Sequence, residues 1–489
     1  MRPAIQEIST HHTPESLVES LQNESGVVLL RSALCDTPLE RHSFVAVRPF
    51  LTFRSYGSHC AFSTPQKSWA QFGNPWQVLD GLAARYELID EIDLPFPLGG
   101  CFGYCGYDLK NFVEPKLSRR AENDLELPDC HLGFYSSLVV FDHRLGKTWI
   151  VATGLRVDGS RDEDTARREL GFWRELLQTP SGAVPCSRSP ASPEHRHDRR
   201  TVRSNVTRPE FIAAVDQARR YIHAGDIYQV NLSQRLSSPM ASTSWDLYQR
   251  LMAVSPAPFA AFLDAGDFQV VSSSPELFLR LSGRHIYTRP IKGTRPRSSD
   301  LTRDAQFTYE LQTSGKEMAE LVMITDLLRN DLGRVCEYGS VQVPELVRLE
   351  RYPQVQHLVS TVEGRLRSNV THVAALASCF PGGSITGAPK IRAMEIIDEL
   401  EPLTRGPYTG CLGYLGFNGE SQLSILIRAA VCKGRTAYFQ VGAGIVADSL
   451  PAAEYEETLA KAGGFLAALD LEPEFEYQAG ISDRDEKKK

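Results

Sequence analysis

The stretch FAAFLDAGDFQVVSSSPELFLRLSGRHIYTRPIKG, residues 259–293, decides the fold. It holds four β-rich runs, FAAFLDAG, FQVVSSSP, ELFLRLSG and HIYTRPIKG, broken by Gly, Pro, Asp and Ser. No helical pattern lies between them, so the strict βαβ alternation of a dinucleotide-binding fold is excluded. Upstream, Thr207 and Glu210 form a capping box with Pro209 in the first turn, and Phe211, Ile212, Val215, Ala218 and Ile222 make one apolar stripe ending at Gly225. That helix is followed by a strand, IYQVNLSQRL. Downstream, helices are predicted around Lys316–Leu328, Pro389–Leu400 and Ala452–Leu469, with strands GCLGYLGF, LSILIRAAV and TAYFQVGAGIV between the last two. The pattern is α/β with strands that pair over long distances in the chain.

Working further outward, residues 1–178 read as a β-rich region closed by a helix, TARRELGFWRELLQ. Residues 179–206 are rich in Pro, Ser and Arg and read as a linker or surface loop. A catalytic region over 207–470 and a disordered tail over 471–489 complete the expected organisation. Across all 489 residues, 42% are apolar and 23% charged, the balance of a globular protein. The net charge of −7 argues against a nucleic-acid partner. No apolar run is long enough to span a membrane, and the N-terminus lacks a signal-peptide core, so a cytoplasmic protein is expected. The ten cysteines are scattered without zinc spacing and are expected to be reduced and buried.

Chemistry gathers at five places. Glu317 and Glu320, and Glu454 and Glu457, are i,i+3 pairs, so each pair leaves one helix face. If the helices meet, four carboxylates share one volume, where unit charges ~4 Å apart repel by roughly 4 kcal/mol at an effective dielectric of about 20. Mg2+ would balance them; two solvated helix faces are the other reading. Lys292 stands in a Gly/Pro-rich segment, PIKGTRPR, where a surface charge is the ordinary reading. Gly442-Ala443-Gly444 ends a strand without the length of a dinucleotide motif, yet its amides can cradle a carboxylate. Arg428 sits on the apolar strand LSILIRAAV and needs an anionic partner, either a ligand carboxylate or a structural salt bridge. FPGGSITGAPKIRAMEII runs from a Gly/Ser/Thr loop into a helix, whose N-terminus is either an anion site or a plain cap.

Eight ordered segments, GDIYQVNLSQR, SSSPELFLR, PIKGTRPR, KEMAELVMITDLLRNDLGRV, FPGGSITGAPKIRAMEIIDELEP, RGPYTGCLGYLGFNG, VGAGIVADS and EYEETLAKA, resemble the motifs of chorismate-utilising enzymes. That family includes component I of anthranilate synthase and of aminodeoxychorismate synthase, and the isochorismate and salicylate synthases. The resemblance spans about residues 207–470 and weakens upstream. It implies a large two-subdomain β-sandwich of antiparallel and mixed sheets with helices packed outside. It further implies that Glu320 and Glu457 bind Mg2+, with Glu317 and Glu454 beside them, and that the metal holds the ring carboxylate of chorismate. Tyr408, Arg428 and the Gly442, Ala443 and Gly444 backbone would hold the enolpyruvyl carboxylate, while Gly293, Thr294 and Thr386 line the site. Glu276 would protonate the departing C4 hydroxyl, and His357 would act as a base or orient the ring.

Two positions bear on which reaction is run. Water-using members of the family carry a lysine base where this chain has Gln229, which cannot deprotonate water, so ammonia is the expected nucleophile. PIKGT resembles the aminodeoxychorismate branch, where anthranilate synthases tend to read PIAGT; PFAAFL at 258–263 and GGSIT at 382–386 lean the same way. In that branch the Lys292 amine would attack C2 and ammonia would then enter at C4. The attack needs a neutral amine, and at an ordinary lysine pKa of ~10.4 only about 1 in 2,500 is neutral at pH 7. No glutaminase motif is evident, so a separate glutamine amidotransferase subunit is expected to deliver the ammonia. Leu29-Leu30-Arg31-Ser32 stands where family members that bind tryptophan often read LLES; the arginine argues against tryptophan feedback.

Overall fold

The computed structural model describes residues 2–32, 41–88, 94–179, 202–352 and 355–471, together with the backbone of 475–477. Among these residues the strands form two large sheets, one of thirteen and one of twelve strands, almost all antiparallel. The four runs of 259–293 become Phe259–Asp264, Phe268–Ser274, Leu277–Ser282 and His285–Arg289, the first two in the thirteen-stranded sheet and the last two in the other. Short turns make Phe259–Asp264 and Phe268–Ser274, and likewise Leu277–Ser282 and His285–Arg289, antiparallel neighbours, while Pro275-Glu276 carries the chain from one sheet to the other.

The sheets face each other across one core. Phe44 meets Tyr414 edge-on at 5.1 Å, and Tyr104 meets Phe268 at 6.2 Å, with Phe53, Phe102, Leu132 and Leu263 in the same cluster. Helices cover the outer surfaces. Glu163–Gln178, Ser244–Val254 and Pro451–Ala468 bury Trp173, Leu251 and Phe465 in a second cluster on the thirteen-stranded sheet. Arg208–His223 and Lys390–Leu400 bury Val215 and Ile397 in a third, while Leu301–Thr313 and Gly315–Gly333 lie on the other sheet through Leu311 and Leu321. The capping box forms as expected: the Thr207 amide donates to Glu210 Oε2 at 2.7 Å, and the Glu210 amide donates to Thr207 Oγ1.

Both sheets draw strands from both ends of the chain. Val28–Arg31 pairs with Phe259–Asp264, and Gly100–Cys105 pairs with Cys411–Gly416. The expected boundary near 178–207 therefore separates no pair of sheets. Of the expected linker, 180–201 lies outside the described residues, and Val202–Ser204 is a strand on Gln229–Pro239. The expected disordered tail contains Phe475–Tyr477, which pairs in parallel with that same strand; the unpaired edge of Val202–Ser204 supplies the donors and acceptors.

Two further expectations need correction. HIYTRPIKG is not one strand: Pro290 divides it, and Ile291–Pro296 forms a separate strand against Val355–Arg365. LSILIRAAV is not one strand either. Glu420–Ile425 belongs to the twelve-stranded sheet and Ala429–Lys433 to the other, and the chain crosses between them at 426–428. Arg428, expected on a strand, sits at that crossing with φ 50°, because a strand that leaves one sheet for another must break its extended geometry. The eight described cysteines are free and buried.

Candidate active site

Lys292 lies on a strand, not in a loop, and its aim comes from one glycine. Lys292 pairs with Leu358 and Thr294 with His357, so Gly293 is an extra residue in the ladder. Gly293 adopts φ 68°, and a Cβ there would lie 2.7 Å from Leu311 and 3.2 Å from a Glu317 oxygen. Such a bulge bends the strand and re-aims its side chains. The Lys292 side chain is 15% exposed, and its Nζ lies 3.6 Å from Glu320 Oε2. On its other flank is Gly444, where a Cβ would sit 4.0 Å from Lys292 Nζ and 2.5 Å from Gln229 Nε2. Glycine is thus required where the amine, the buried Gln229 and the Thr436–Ile445 strand converge.

Next to the amine is a buried acid. Glu276 is 5% exposed. Burial pushes its carboxyl up to about 7, against the opposing pull of the Ser384 hydroxyl, the Lys292 charge and the Ile291 amide. A carboxyl in this range still holds its proton near neutral pH. His357, also buried, shares a hydrogen bond of 2.9 Å between Nδ1 and Thr294 Oγ1. Burial, then the Arg428 charge, lower its pKa to about 4, so the imidazole is neutral at pH 7.

A second group of residues, reaching Gly444 from the crossing at Arg428, suits a carboxylate. Among the described residues no Asp or Glu pairs with the Arg428 guanidinium, which burial disfavours as a cation, so the structural salt bridge is absent. Tyr408 is buried in the turn before Cys411–Gly416, and a Cβ at Gly442 would come within 2.8 Å of its hydroxyl. Gly442 and Gly444 share one strand face; Ala443 points the other way into the core, leaving only its backbone available to the site. Thr386 is fully buried, its hydroxyl donates to Gly382 O at 3.0 Å, and its carbonyl accepts from the Asn231 amide at 2.9 Å.

The four helix glutamates are not gathered. Glu320 faces Lys292, and Glu317 lies 3.5 Å from Arg295. Glu457 is about half exposed and bonded to Lys461 at 2.8 Å, while burial raises the buried Glu454 carboxyl, with Ser449 hydrogen-bonding it and Lys316 nearby. No three acidic, histidine or cysteine side chains among the described residues form a metal-ready cluster. Lysines and an arginine take the positions beside the carboxylates that a metal would otherwise balance. The donor set, all carboxylate oxygen on two helices, is of the kind Mg2+ takes.

Residues 31–467 match the family of chorismate binding enzymes. The chain belongs to that family. Anthranilate synthase component 1 of Acetivibrio thermocellus is 38% identical over 462 residues, covering 94% of this chain and 93% of the relative. Aminodeoxychorismate synthase component 1 of Escherichia coli (strain K12) is also 38% identical, over 446 residues, covering 91% and 93%. The solved structure of anthranilate synthase component I from Streptococcus pneumoniae TIGR4 superposes with a TM-score of 0.75 at 31% identity, covering 87% of this chain and 92% of that one. The chain is a chorismate-utilising enzyme with the two-sheet fold of anthranilate synthase component I. Its relatives of equal identity divide between two reactions, so the choice between them falls to individual side chains.

Sequence reasoning missed two parts of this chorismate enzyme's site. Ser384, beside Glu276, was inside the quoted GGSIT segment but carried no signal that it would meet an acid. The Arg405–Glu401 pair was hidden because its spacing resembles any solvated i,i+4 helix pair, whereas both side chains are buried.

Proposed function

We propose that the chain is component 1 of an aminodeoxychorismate synthase, turning chorismate and ammonia into 4-amino-4-deoxychorismate and water. The observation that carries this reading is the placement of the Lys292 amine, held by the Gly293 bulge beside Glu276, Gln229 and Gly444. The neutral lysine nitrogen forms a bond to C2 of the ring as both ring double bonds shift by one bond and the C4 hydroxyl leaves. Glu276 gives that hydroxyl its proton, so water departs rather than hydroxide. Ammonia then bonds to C4, both double bonds shift back, the Lys292 nitrogen is released from C2, and the proton shed by the new C4 nitrogen restores Glu276. Gln229 carries no basic group to activate water, which favours ammonia in the second step.

Arg428, Tyr408 and the Gly442–Gly444 backbone hold the enolpyruvyl carboxylate, and Thr294 and Thr386 line the ring. Neutral His357, fixed by Thr294, orients the ring or accepts a proton. Glu320 and Glu457, with Glu317 and Glu454 nearby, would hold Mg2+, which supplies positive charge for the ring carboxylate. A separate glutamine amidotransferase subunit supplies ammonia in a cytoplasmic setting, and the product feeds 4-aminobenzoate and folate synthesis. The second reading is anthranilate synthase component 1, which releases pyruvate; relatives of that name at equal identity favour it. Incubation of the purified chain with chorismate, Mg2+ and ammonium separates the two. Aminodeoxychorismate without pyruvate is expected, and stoichiometric anthranilate and pyruvate would overturn the assignment.

A further inference from the structure

Three segments that carry the carboxylate-binding and ring-lining groups converge on one guanidinium that cannot touch substrate. The Arg405 side chain is 1% exposed. Its Nε donates to Glu401 Oε2 at 2.8 Å and its Nη2 to Glu401 Oε1 at 2.6 Å, a bidentate pair. Nη2 also donates to the carbonyl of Asn231 at 2.8 Å, and Nη1 donates to the Ile385 carbonyl and to Thr409 Oγ1, each at 3.2 Å. Glu401 completes the network by accepting from the Ser233 amide at 2.8 Å and its hydroxyl at 3.0 Å. The guanidinium lies 4.8 Å from the ring centroid of Tyr107 and 5.7 Å from that of Tyr408.

Each tie reaches a segment of the site. Asn231 and Ser233 belong to the strand that begins at Gln229 and pairs with Gly442–Gly444. Ile385 precedes Thr386. Thr409 follows Tyr408 and is held at φ 59°, a conformation that a β-branched residue keeps only when its surroundings impose it. The Thr409 hydroxyl also donates to the Tyr408 carbonyl at 2.6 Å, and the Thr409 amide to Leu426 O at 2.8 Å, close to the crossing that carries Arg428. A planar group with several fixed donors can set the relative positions of three backbones in a way that a flexible ammonium cannot.

We infer that Arg405, locked by Glu401, is a positioning residue for chorismate binding: it fixes the Tyr408 turn and the Thr386 loop against the Gln229 strand. The inference rests on the reading that Tyr408 and Thr386 face substrate. A displacement of the carboxylate-binding groups by about 1 Å would weaken substrate binding strongly, so the effect falls on KM more than on kcat.

The test measures KM and kcat for chorismate at saturating ammonium, with the melting temperature, for four variants. Tyr408→Phe checks the underlying reading. The pair Arg405→Met with Glu401→Leu replaces the buried ions by apolar groups, an exchange that leaves buried-pair proteins folded in other cases. Thr409→Val removes a hydroxyl that accepts from Arg405 and donates to the Tyr408 carbonyl, and leaves the ion pair intact. Arg405→Lys keeps the charge without the planar fork. Tyr408→Phe should raise KM about tenfold, the double variant by ten- to a hundredfold with kcat within about threefold, and Thr409→Val by about threefold. Arg405→Lys should fail to restore KM. If Tyr408→Phe raises KM while Thr409→Val and Arg405→Lys leave it at the wild-type value, Arg405 is only structural and the inference falls. If Tyr408→Phe leaves KM unchanged, the substrate reading of the turn is what fails. Should the double variant not fold, Thr409→Val and Arg405→Lys decide the matter alone.

Discussion

The Lys292 seam and the two glutamate-bearing helices differ in how finished they are. On the seam, Glu276 and His357 are buried, Lys292 is 15% exposed, and all three are tied to paired strands, with Thr294 hydrogen-bonding His357 from the exposed side. On Gly315–Gly333 and Pro451–Ala468, Glu317 and Glu457 are partly and about half exposed, and Glu317, Glu320 and Glu457 are each neutralised by a separate cation. Burial organises the first region and perturbs its proton affinities. In the second region Glu317 and Glu457 stay partly or largely exposed, which keeps those like charges screened, while Glu320 leans on Lys292 and Glu454 is buried.

The largest expected effect tests whether the seam performs proton transfer. Glu276→Gln should lower kcat by about a thousandfold, within the range for a lost general acid. The sign of the pH dependence follows from a carboxyl raised to about 7: the active form is protonated, so wild-type kcat falls as pH rises through 7. A pH–rate profile at fixed free ammonia should lose that limb in the variant; a limb that persists assigns it to another group. Lys292→Ala comes next. Aminodeoxychorismate formation should drop by about a hundredfold with some leakage toward anthranilate, read by chromatography of products. Full activity without the amine would remove its covalent role.

Gly293→Ala addresses the bulge. The added Cβ meets Leu311 and Glu317 at a positive φ, so denaturant unfolding should show a loss of about 1–2 kcal/mol, with slower turnover as Lys292 swings out of line. The smallest effect belongs to the open region. Glu457→Gln should change metal-free stability by no more than about 0.5 kcal/mol. Millimolar Mg2+ should raise the wild-type melting temperature and raise that of the variant less. A large metal-free loss would show that the glutamate helices are as tightly built as the seam.

Much of this was legible in the residues. The hairpin run of 259–293, the capping box at Thr207 and the helices carrying the glutamates follow from local periodicity and turn chemistry. What escaped depended on tertiary context. Leu301–Thr313 lacks a strong apolar stripe, its Asp300 cap being the available signal. The crossing at Arg428 looks like an ordinary apolar strand, because both flanking runs are buried β-sequence and only their assignment to different sheets breaks them. The bulge at Gly293 was written as a glycine after a lysine, but its effect on aim depends on the register with Val355–Arg365. The four glutamates gave the right helices, but the surroundings of each carboxylate, Glu454 buried and Glu457 about half exposed, are set by packing that spacing alone does not encode.

Strands from the first third of the chain form one end of each sheet and meet strands from its second half along a single line. During synthesis, Val28–Arg31 and Gly100–Cys105 emerge long before Phe259–Asp264 and Cys411–Gly416 exist to cover their edges. These early segments must wait on the ribosome with bare hydrogen-bonding edges, exposed to wrong partners. Such distant pairing slows closure of the sheets. The crossing at 426–428, which carries Arg428 between the sheets, can form only when translation is nearly over.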